Sequence, residues 1–454
     1  MARTAERFPP QVKYIVGNEG CERFSFYGMR AILVVYMVQW LAMPEPAAKG
    51  AYHDFMTACY VTPLLGGLLA DRFLGRFKVI LWLSLGYVAG HATIALWESR
   101  WGLAAGLALI ALGSGGIKPC VSAFVGDQFR PEQKRLVERV FGLFYWMINL
   151  GSLSAKLAIP WFLRWRGPSI AFAIPGLLMA LSLVIFWVGR GLYRTVPASG
   201  PNPHSFLRVL WSAVRRRGER AGAWLDGARA DHPAEAVEGA RAALRIAGVF
   251  ASTLAFWSLF DQQGSSWILQ ARRMDLTTPF GRLEASQIPF LNPLLVLGLI
   301  PAFDAWLYPA VERLGVRVTP LRKMAAGMFL GAFSFVAAAL VEGALAAGTP
   351  LHVAWQVPQY VIITASEVLV SVTGLEFAFT QAPKSMKSTV MSFWMLTTAL
   401  GNQLTATVSK VNAFQGASFF WFFAALMLGA SLLFAVVARA YQPVGEAPAI
   451  PDIV

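Results

Sequence analysis

Ionisable side chains recur inside apolar segments of this chain, where lipid or a packed core penalises charge. The first such segment carries two glutamates and two arginines: Glu19, Glu22, Arg23 and Arg30. Their spacings of three, four and seven residues place them on one helical face, with Tyr27 on the same stripe. A charge at the centre of a membrane costs about 3 kcal/mol unless it faces water or a partner. The cluster predicts either a polar cavity wall or a set of mutually paired structural charges.

Later apolar segments contribute further polar groups: His53, Tyr60, Lys118, Asp261, Asn292 and Glu367. The cations come mainly from the first half of the chain, whereas the second half supplies the carboxylates. A cavity that is positive on one wall and negative on the other suits a zwitterion, because its carboxylate meets Arg or Lys and its ammonium meets a carboxylate. A free peptide is such a zwitterion, although the pattern does not fix its length.

His53 is the candidate proton switch, because the ordinary pKa of imidazole, about 6.5, is close to working pH. The structural alternative is a hydrogen-bonded packing group. The remaining histidines and the three cysteines are scattered, and their spacings predict neither a metal site nor a disulfide framework: His91, His204, His232, His352, Cys21, Cys59 and Cys120.

Composition indicates a membrane protein. Of the 454 residues, 56% are hydrophobic and 14% are charged, whereas soluble domains are about 25% charged. The net charge of +14 also occurs in nucleic-acid-binding proteins. Here, however, Lys and Arg lie between apolar spans, which is the topology signal of membrane proteins. We therefore predict lipid contact and no nucleic-acid partner.

A membrane-spanning helix needs about 20 apolar residues, and twelve segments qualify. Six lie near 14–41, 51–70, 77–97, 102–124, 139–163 and 168–191, and six lie near 245–269, 286–310, 321–346, 351–380, 388–411 and 415–441. The pattern predicts an all-α polytopic protein of the major facilitator type, with two six-helix bundles around a central cavity. The expected division is 1–192 for the first bundle, 193–243 for a linker, 244–442 for the second bundle and 443–454 for a tail.

Basic residues cluster in alternate short loops, for example around Arg72–Lys78 and Arg313–Lys323. This bias predicts that both termini and the linker are cytoplasmic, and the first 13 residues show no cleavable signal peptide. Within the linker, residues 203–230 are compatible with an amphipathic helix on anionic lipid or with a solvated tether.

The first span reads Glu19-Gly20-Cys21-Glu22-Arg23-Phe24-Ser25-Phe26-Tyr27-Gly28. It resembles the E-x-x-E-R-F-x-Y-Y motif of the proton-dependent oligopeptide transporter family, with Phe26 in place of the first tyrosine. The resemblance excludes the linker and extends over nearly all spans, through Gly115–Pro119, Phe144–Ser152, Phe256–Gly264 and Gln356–Lys387. The chain resembles the mammalian peptide transporters more than it resembles many bacterial relatives.

The resemblance implies a proton-coupled symporter of di- and tripeptides, driven by the proton gradient without a cofactor. It implies that Arg23, Arg30 and Lys118 face the peptide carboxylate, and that Glu367 binds the amino terminus. Asn149 and Asn292 would contact the peptide backbone. Four aromatic residues would shape the pockets: Tyr27, Tyr60, Trp257 and Trp394.

The same resemblance implies roles in coupling. His53 would act with Asp261 in proton coupling, and Glu19 and Glu22 would exchange ion-pair partners with Arg23 and Lys118. Arg245 and Asp304 would form a gating salt bridge. The expected setting is a bacterial inner membrane, and the expected oligomeric state is a monomer.

Three alternatives stay open at the level of sequence. A transporter of another anion or zwitterion on the same fold fits less well, because the E-x-x-E-R-F motif is present and Glu367 disfavours an anion. A non-transporting peptide sensor is also compatible with the residues. A membrane-embedded enzyme would need an activated nucleophile or a metal cluster near the interface. We identify neither in the sequence and expect no enzymatic activity.

Overall fold

The computed structural model describes residues 7–130, 132–198, 200, 202–216, 224–279 and 281–441. The expected tail at 443–454 lies outside the described residues. The first half of the chain forms six long helices: α1 (Val12–Gln39), α2 (Glu45–Leu69), α3 (Arg76–Leu96), α4 (Arg100–Gly126), α5 (Lys134–Arg166) and α6 (Pro168–Val188). One helical turn of π type, Ala70–Leu74, extends α2.

The second half is helical but repeatedly interrupted. A short helix, α7 (Phe206–Arg215), lies in the linker. The seventh span consists of α8 (Ala234–Ala251), α9 (Leu254–Phe260), a 3-10 turn (Asp261–Gly264) and α10 (Ser266–Ala271). A small hairpin of β1 (Thr277–Thr278) and β2 (Gly281–Arg282) follows. The eighth span runs through a 3-10 turn (Ala285–Phe290), α11 (Leu291–Ala302), a π turn (Phe303–Leu307) and α12 (Tyr308–Arg313).

The remaining spans complete the second bundle. They are α13 (Pro320–Ala346), the broken helix α14 (Val357–Glu367) and α15 (Thr373–Gln381), α16 (Lys387–Val411) and α17 (Ala417–Ala440). Glu367 is thus the last residue before the π turn Val368–Val372 that joins α14 to α15. A π turn inserts an extra residue into the helix, and such turns are frequent at functional sites.

The number of spans agrees with the sequence-based prediction. Within the described residues, seven helical segments are long and apolar enough to cross a membrane, and the bent α8–α10 segment makes eight. Four other helices, α1, α2, α5 and α16, have 28, 25, 33 and 25 residues, but polar side chains lower their hydropathy. The twelve spans confirm the predicted all-α major facilitator fold. The predicted boundary at 244 falls inside α8, which begins at Ala234.

Each half packs into its own bundle, and the two bundles meet along α2 and α16 and along α5 and the 285–290 turn. Within the first bundle, α2 and α4 cross with their backbones in contact. A Cβ on Gly66 would lie 2.7 Å from the Cα of Gly116. Only glycines permit this approach, which brings Tyr60 and Lys118 onto adjacent helices beside the cavity.

The helical part of the linker is attached to the second bundle. The ring of Phe206 packs edge-on against Phe393 at 5.3 Å, and His204 and His232 share a hydrogen bond of 3.0 Å. Leu207, Trp211 and Val214 of α7 are exposed next to basic residues. This exposed apolar face favours the interfacial helix over a fully solvated tether.

Asp231 fixes the end of α7 to the turn that follows. It accepts hydrogen bonds from Arg216 at 2.7 and 2.8 Å and from Ser212 at 2.6 Å. These bonds lower the pKa of the Asp231 carboxyl to about 2. Because this pKa is depressed, the stabilisation is fully present above about pH 4 and is lost as the pH falls towards 2. The Asp231 carboxylate therefore stays charged over the pH range of a transport assay and keeps its hydrogen bonds to Arg216 and Ser212.

Candidate functional site

A cavity of about 260 Å³ lies between the two bundles. Seven of the residues predicted from sequence line it: Tyr27, Arg30, Tyr60, Asn149, Trp257, Asn292 and Glu367. The first four come from the first bundle and the last three from the second. Glu367 accepts a hydrogen bond of 2.6 Å from Asn292, which also donates to Thr364 at 3.2 Å. Two residues predicted to contact the substrate are therefore bonded to each other within the second bundle.

The charges of the first span are buried and paired in this conformation. The guanidinium of Arg23 lies 2.7 Å from the carboxylate of Glu19 and 3.0 Å from that of Glu22. All three side chains are buried, and they lie behind the residues that line the cavity. The structure therefore shows the mutually paired cluster rather than a wall of free charges.

Lys118 and Trp394 also lie outside the cavity lining. The ammonium of Lys118 lies 3.9 Å from the ring centre of Phe26 and 5.1 Å from that of Tyr60. Phe26, which replaces the first tyrosine of the motif, thus offers this cation an aromatic face instead of a hydroxyl group. Trp394 supports Trp257 from behind, with ring centres 5.8 Å apart.

A chain of hydrogen bonds crosses between the bundles beside the cavity. Arg30 of α1 forms an ion pair with Asp261 and also donates to the hydroxyl of Tyr52. Asp261 accepts a hydrogen bond of 2.7 Å from the amide of Asn402, and the carbonyl oxygen of that amide lies 2.8 Å from Nδ1 of His53. His53 and Asp261, expected as a direct pair, are therefore linked through Asn402.

The second ring nitrogen of His53 also has a hydrogen-bond partner. Because Asn402 uses its amide hydrogens on Asp261 and on a backbone carbonyl, its oxygen receives the hydrogen of His53 Nδ1. Nε2 lies 2.8 Å from the hydroxyl of Ser265, which both donates and accepts. His53 therefore keeps both hydrogen bonds whether Nε2 is protonated or not.

We call the membrane face at which the linker lies the linker side and the opposite face the far side. Near the far side, further contacts join the bundles. Lys410 pairs with Asp54, and Arg164 pairs with Glu284 at 2.8 Å. Gly264 lies directly against the hydroxyl of Tyr52, where any Cβ would clash.

On the linker side, no ion pair or side-chain hydrogen bond joins the two bundles among the described residues. The described polar contacts between the bundles therefore lie beside the cavity and near the far side. Arg245 and Asp304, the expected gating pair, are both exposed, and neither belongs to an ion pair among the residues that the structure describes.

Sequence reasoning missed four residues of the site: Tyr52, Lys156, Ser265 and Asn402. Lys156 lines the cavity, and the rule that flags an ionisable residue inside an apolar span applies to it as much as to Lys118. Asn402 is an amide within an apolar span, which is a comparable signal. Tyr52 and Ser265 carry no such signal, because single hydroxyl groups are common in spans.

Comparison with known proteins identifies the family to which this chain belongs. The family model described as the POT family matches residues 77–422. Peptide transporter 3 of Caenorhabditis elegans is 41% identical over 358 residues, which cover 74% of this chain and 51% of that protein. Solute carrier family 15 member 2 of Mus musculus is 42% identical over 74% of this chain and 49% of its own length. The chain thus spans about half the length of these curated relatives.

Solved structures agree with the sequence matches. The POT family transporter PepTSo is 40% identical with a TM-score of 0.91, and the match covers 96% of this chain and 99% of that one. An auto-inhibited POT family peptide transporter is 41% identical with a TM-score of 0.90, over 97% and 99% of the two chains. Family model, relatives and structures agree, and the chain belongs to the POT family of membrane transporters.

Proposed function

We propose that the protein is a proton-coupled symporter that imports di- and tripeptides by alternating access. The observation that carries this proposal is the hydrogen-bonded chain from His53 through Asn402 and Asp261 to Arg30. It crosses the bundle interface beside a cavity that Glu367 lines. His53, a titratable group, is thereby connected to the ion pair of Arg30 and Asp261, which must break for the far side to open. The names of the relatives, which are peptide transporters, support the choice of cargo.

Binding follows from the charges of the two bundles. The peptide ammonium would bind Glu367, with Asn149 and Asn292 contacting the peptide backbone. Once protonation of Glu19 or Glu22 releases Arg23, that cation and Lys118 would attract the peptide carboxylate, together with Arg30. Tyr27, Tyr60 and Trp257 line the space between, and Trp394 holds Trp257 in place.

Proton coupling acts on the ion pair between Arg30 and Asp261. A proton added to Nε2 of His53 places a positive charge two hydrogen bonds from Asp261, where it competes with Arg30 for the carboxylate. Removing one partner of a buried ion pair costs about 3–5 kcal/mol, so weakening this pair favours opening of the far side. Arg245 and Asp304 would pair as the linker side closes.

The driving force is the proton gradient, with no cofactor and no enzymatic step. A membrane potential supplies about 2.3 kcal/mol per charge per 100 mV, which is enough for accumulation. The positive linker-side loops support cytoplasmic termini, and the proposed setting is a bacterial inner membrane. A cavity enclosed within one chain supports a monomer surrounded by lipid.

Reconstitution in liposomes tests this function. We expect the parent protein to accumulate labelled dialanine when an inward proton gradient is imposed. His53→Ala and Asp261→Ala should abolish accumulation, because each breaks the chain, whereas exchange of dialanine without a gradient should persist in His53→Ala. Accumulation by both variants at the parent level would refute this coupling site.

Glu367→Gln tests the ammonium site separately. The variant should bind dialanine about tenfold or more weakly, since it replaces a charged hydrogen bond by a neutral one. Unaltered affinity would exclude that role. Competition by single amino acids, dipeptides, tripeptides and tetrapeptides against dialanine would then define the length of the cargo and exclude other anions and zwitterions.

A further inference from the structure

The cavity carries a cation that the proposed binding scheme does not use. Apart from tyrosines, the ionisable residues among the described lining are Arg30, Lys156 and Glu367. Arg30 is neutralised by Asp261, and Glu367 is hydrogen-bonded to Asn292. Lys156, on α5 of the first bundle, is the cavity cation without a carboxylate partner among the described ion pairs.

The contacts of Lys156 leave most of its hydrogen-bonding capacity free. Its ammonium donates to the carbonyl oxygen of Pro289, across the bundle interface, at 3.3 Å. It also lies 5.4 Å from the ring centre of Tyr27. An ammonium group has three hydrogens to donate, so two of them remain for a ligand. The side chain is partly exposed, and the cavity is the space that it faces.

The charge balance of the cavity indicates what this cation binds. Without substrate, Lys156 and Glu367 offset one another, and Arg30 is offset by Asp261. A simple dipeptide brings one ammonium, which takes Glu367, and one carboxylate, which the cations of the first span and Lys118 attract. Lys156 is then left without a counter-charge, and a second carboxylate on the substrate would supply it.

We propose that Lys156 is a specificity-determining residue that binds the side-chain carboxylate of an acidic peptide. The inference rests on the proposed function, since it names a preference among peptides at the same site. Aspartyl and glutamyl peptides gain a charged hydrogen bond in a partly dehydrated cavity. Peptides with a lysyl side chain meet repulsion from a like charge at the same position.

A competition series in liposomes tests this assignment. Uptake of labelled dialanine by the parent, Lys156→Met and Lys156→Arg is measured against unlabelled alanyl-glutamate, dialanine and alanyl-lysine. In the parent, alanyl-glutamate should compete about tenfold more strongly than alanyl-lysine. Lys156→Met should lose that preference, measured as the ratio of the competition constants of alanyl-glutamate and alanyl-lysine, and Lys156→Arg, which retains the charge, should restore it.

Lys410→Met serves as the matched control. It removes another lysine that bridges the bundles, outside the cavity. It should change competition by all three peptides to the same extent. Equal weakening of all peptides in Lys156→Met would overturn the proposal, because it would assign this lysine to the main-chain carboxylate or to closure of the far side. An unchanged preference in Lys156→Met would overturn it as well. Absence of dialanine uptake by the parent would instead refute the proposed function.

Discussion

The far side and the linker side of the bundle interface differ in the polar contacts that join the two bundles. At the far side, charged and amide side chains join the bundles, from the buried pair of Arg30 and Asp261 to the exposed pair of Lys410 and Asp54. At the linker side, the described residues form no such pair between bundles. Polar contacts that cross an interface can exchange partners without loss of packing. The far-side contacts are therefore those that the proposed alternating-access cycle would have to break.

The ion pairs at the far side also differ in how far their side chains are exposed. The Arg30–Asp261 pair is buried, with side chains 14% and 1% exposed, whereas Lys410 and Asp54 are 48% and 40% exposed. Exposed pairs contribute about 0–1 kcal/mol, and breaking buried ones costs about 3–5 kcal/mol. Closure of the far side should thus depend mainly on the pair that is connected to His53.

The largest effect should come from locking the far side. Cysteines at positions 54 and 410, in a variant whose three native cysteines are replaced by serine, can be joined by a short bifunctional maleimide. Because these positions must separate for the far side to open, cross-linking should stop dialanine uptake almost completely. The serine background and each single cysteine, treated in the same way, should continue to transport. Continued uptake by the cross-linked protein would refute a far-side opening at this place.

A smaller but more specific effect is expected at Asn402. Asn402→Leu removes the link between His53 and Asp261 while it leaves the Arg30–Asp261 pair in place. Gradient-driven accumulation of dialanine should fall at least tenfold and lose its pH dependence, whereas exchange without a gradient should remain. Asn402→Asp provides a comparison that preserves an acceptor for His53 but loses the hydrogen bonds donated to Asp261 and to the carbonyl of Thr398, and places a second carboxylate beside Asp261. A normal pH profile in Asn402→Leu would show that the proton takes another route.

The smallest effect should follow from Asp54→Asn. The exposed pair with Lys410 contributes little, so initial rates of dialanine uptake should stay within about twofold of the parent. Lys410→Met and the double variant complete the cycle of substitutions that measures the interaction between the two side chains. A loss as large as that of Asp261→Ala would mean that the exposed and buried contacts act as one unit.

Much of the fold was predictable, because twelve apolar segments of sufficient length determine the number of spans. The start of the seventh span was predicted about ten residues too late, because α8 begins in the polar stretch after Pro233, where its alanines extend the helix. The sequence also did not predict which charged side chains pair with one another. The spacing of four residues placed Glu19 and Arg23 on one helical face, but whether they face a cavity or one another depends on packing by other helices. The bridge through Asn402 requires α2, the 261–264 turn and α16 to meet in space, and no local spacing encodes this meeting.

The attachment of the linker has a mechanical consequence. Arg194 is bonded through its backbone to Gln128 of the first bundle, at 2.9 and 3.1 Å, while His204 contacts His232 beside the second. Only the nine residues 195–203 join these anchor points. An extended chain of that length reaches about 30 Å, so the covalent connection limits only how far the two anchor points can separate. Cutting the polypeptide within this stretch should leave two fragments that still assemble and transport dialanine. The reason is that side-chain contacts, rather than chain continuity, determine how far the two halves rotate.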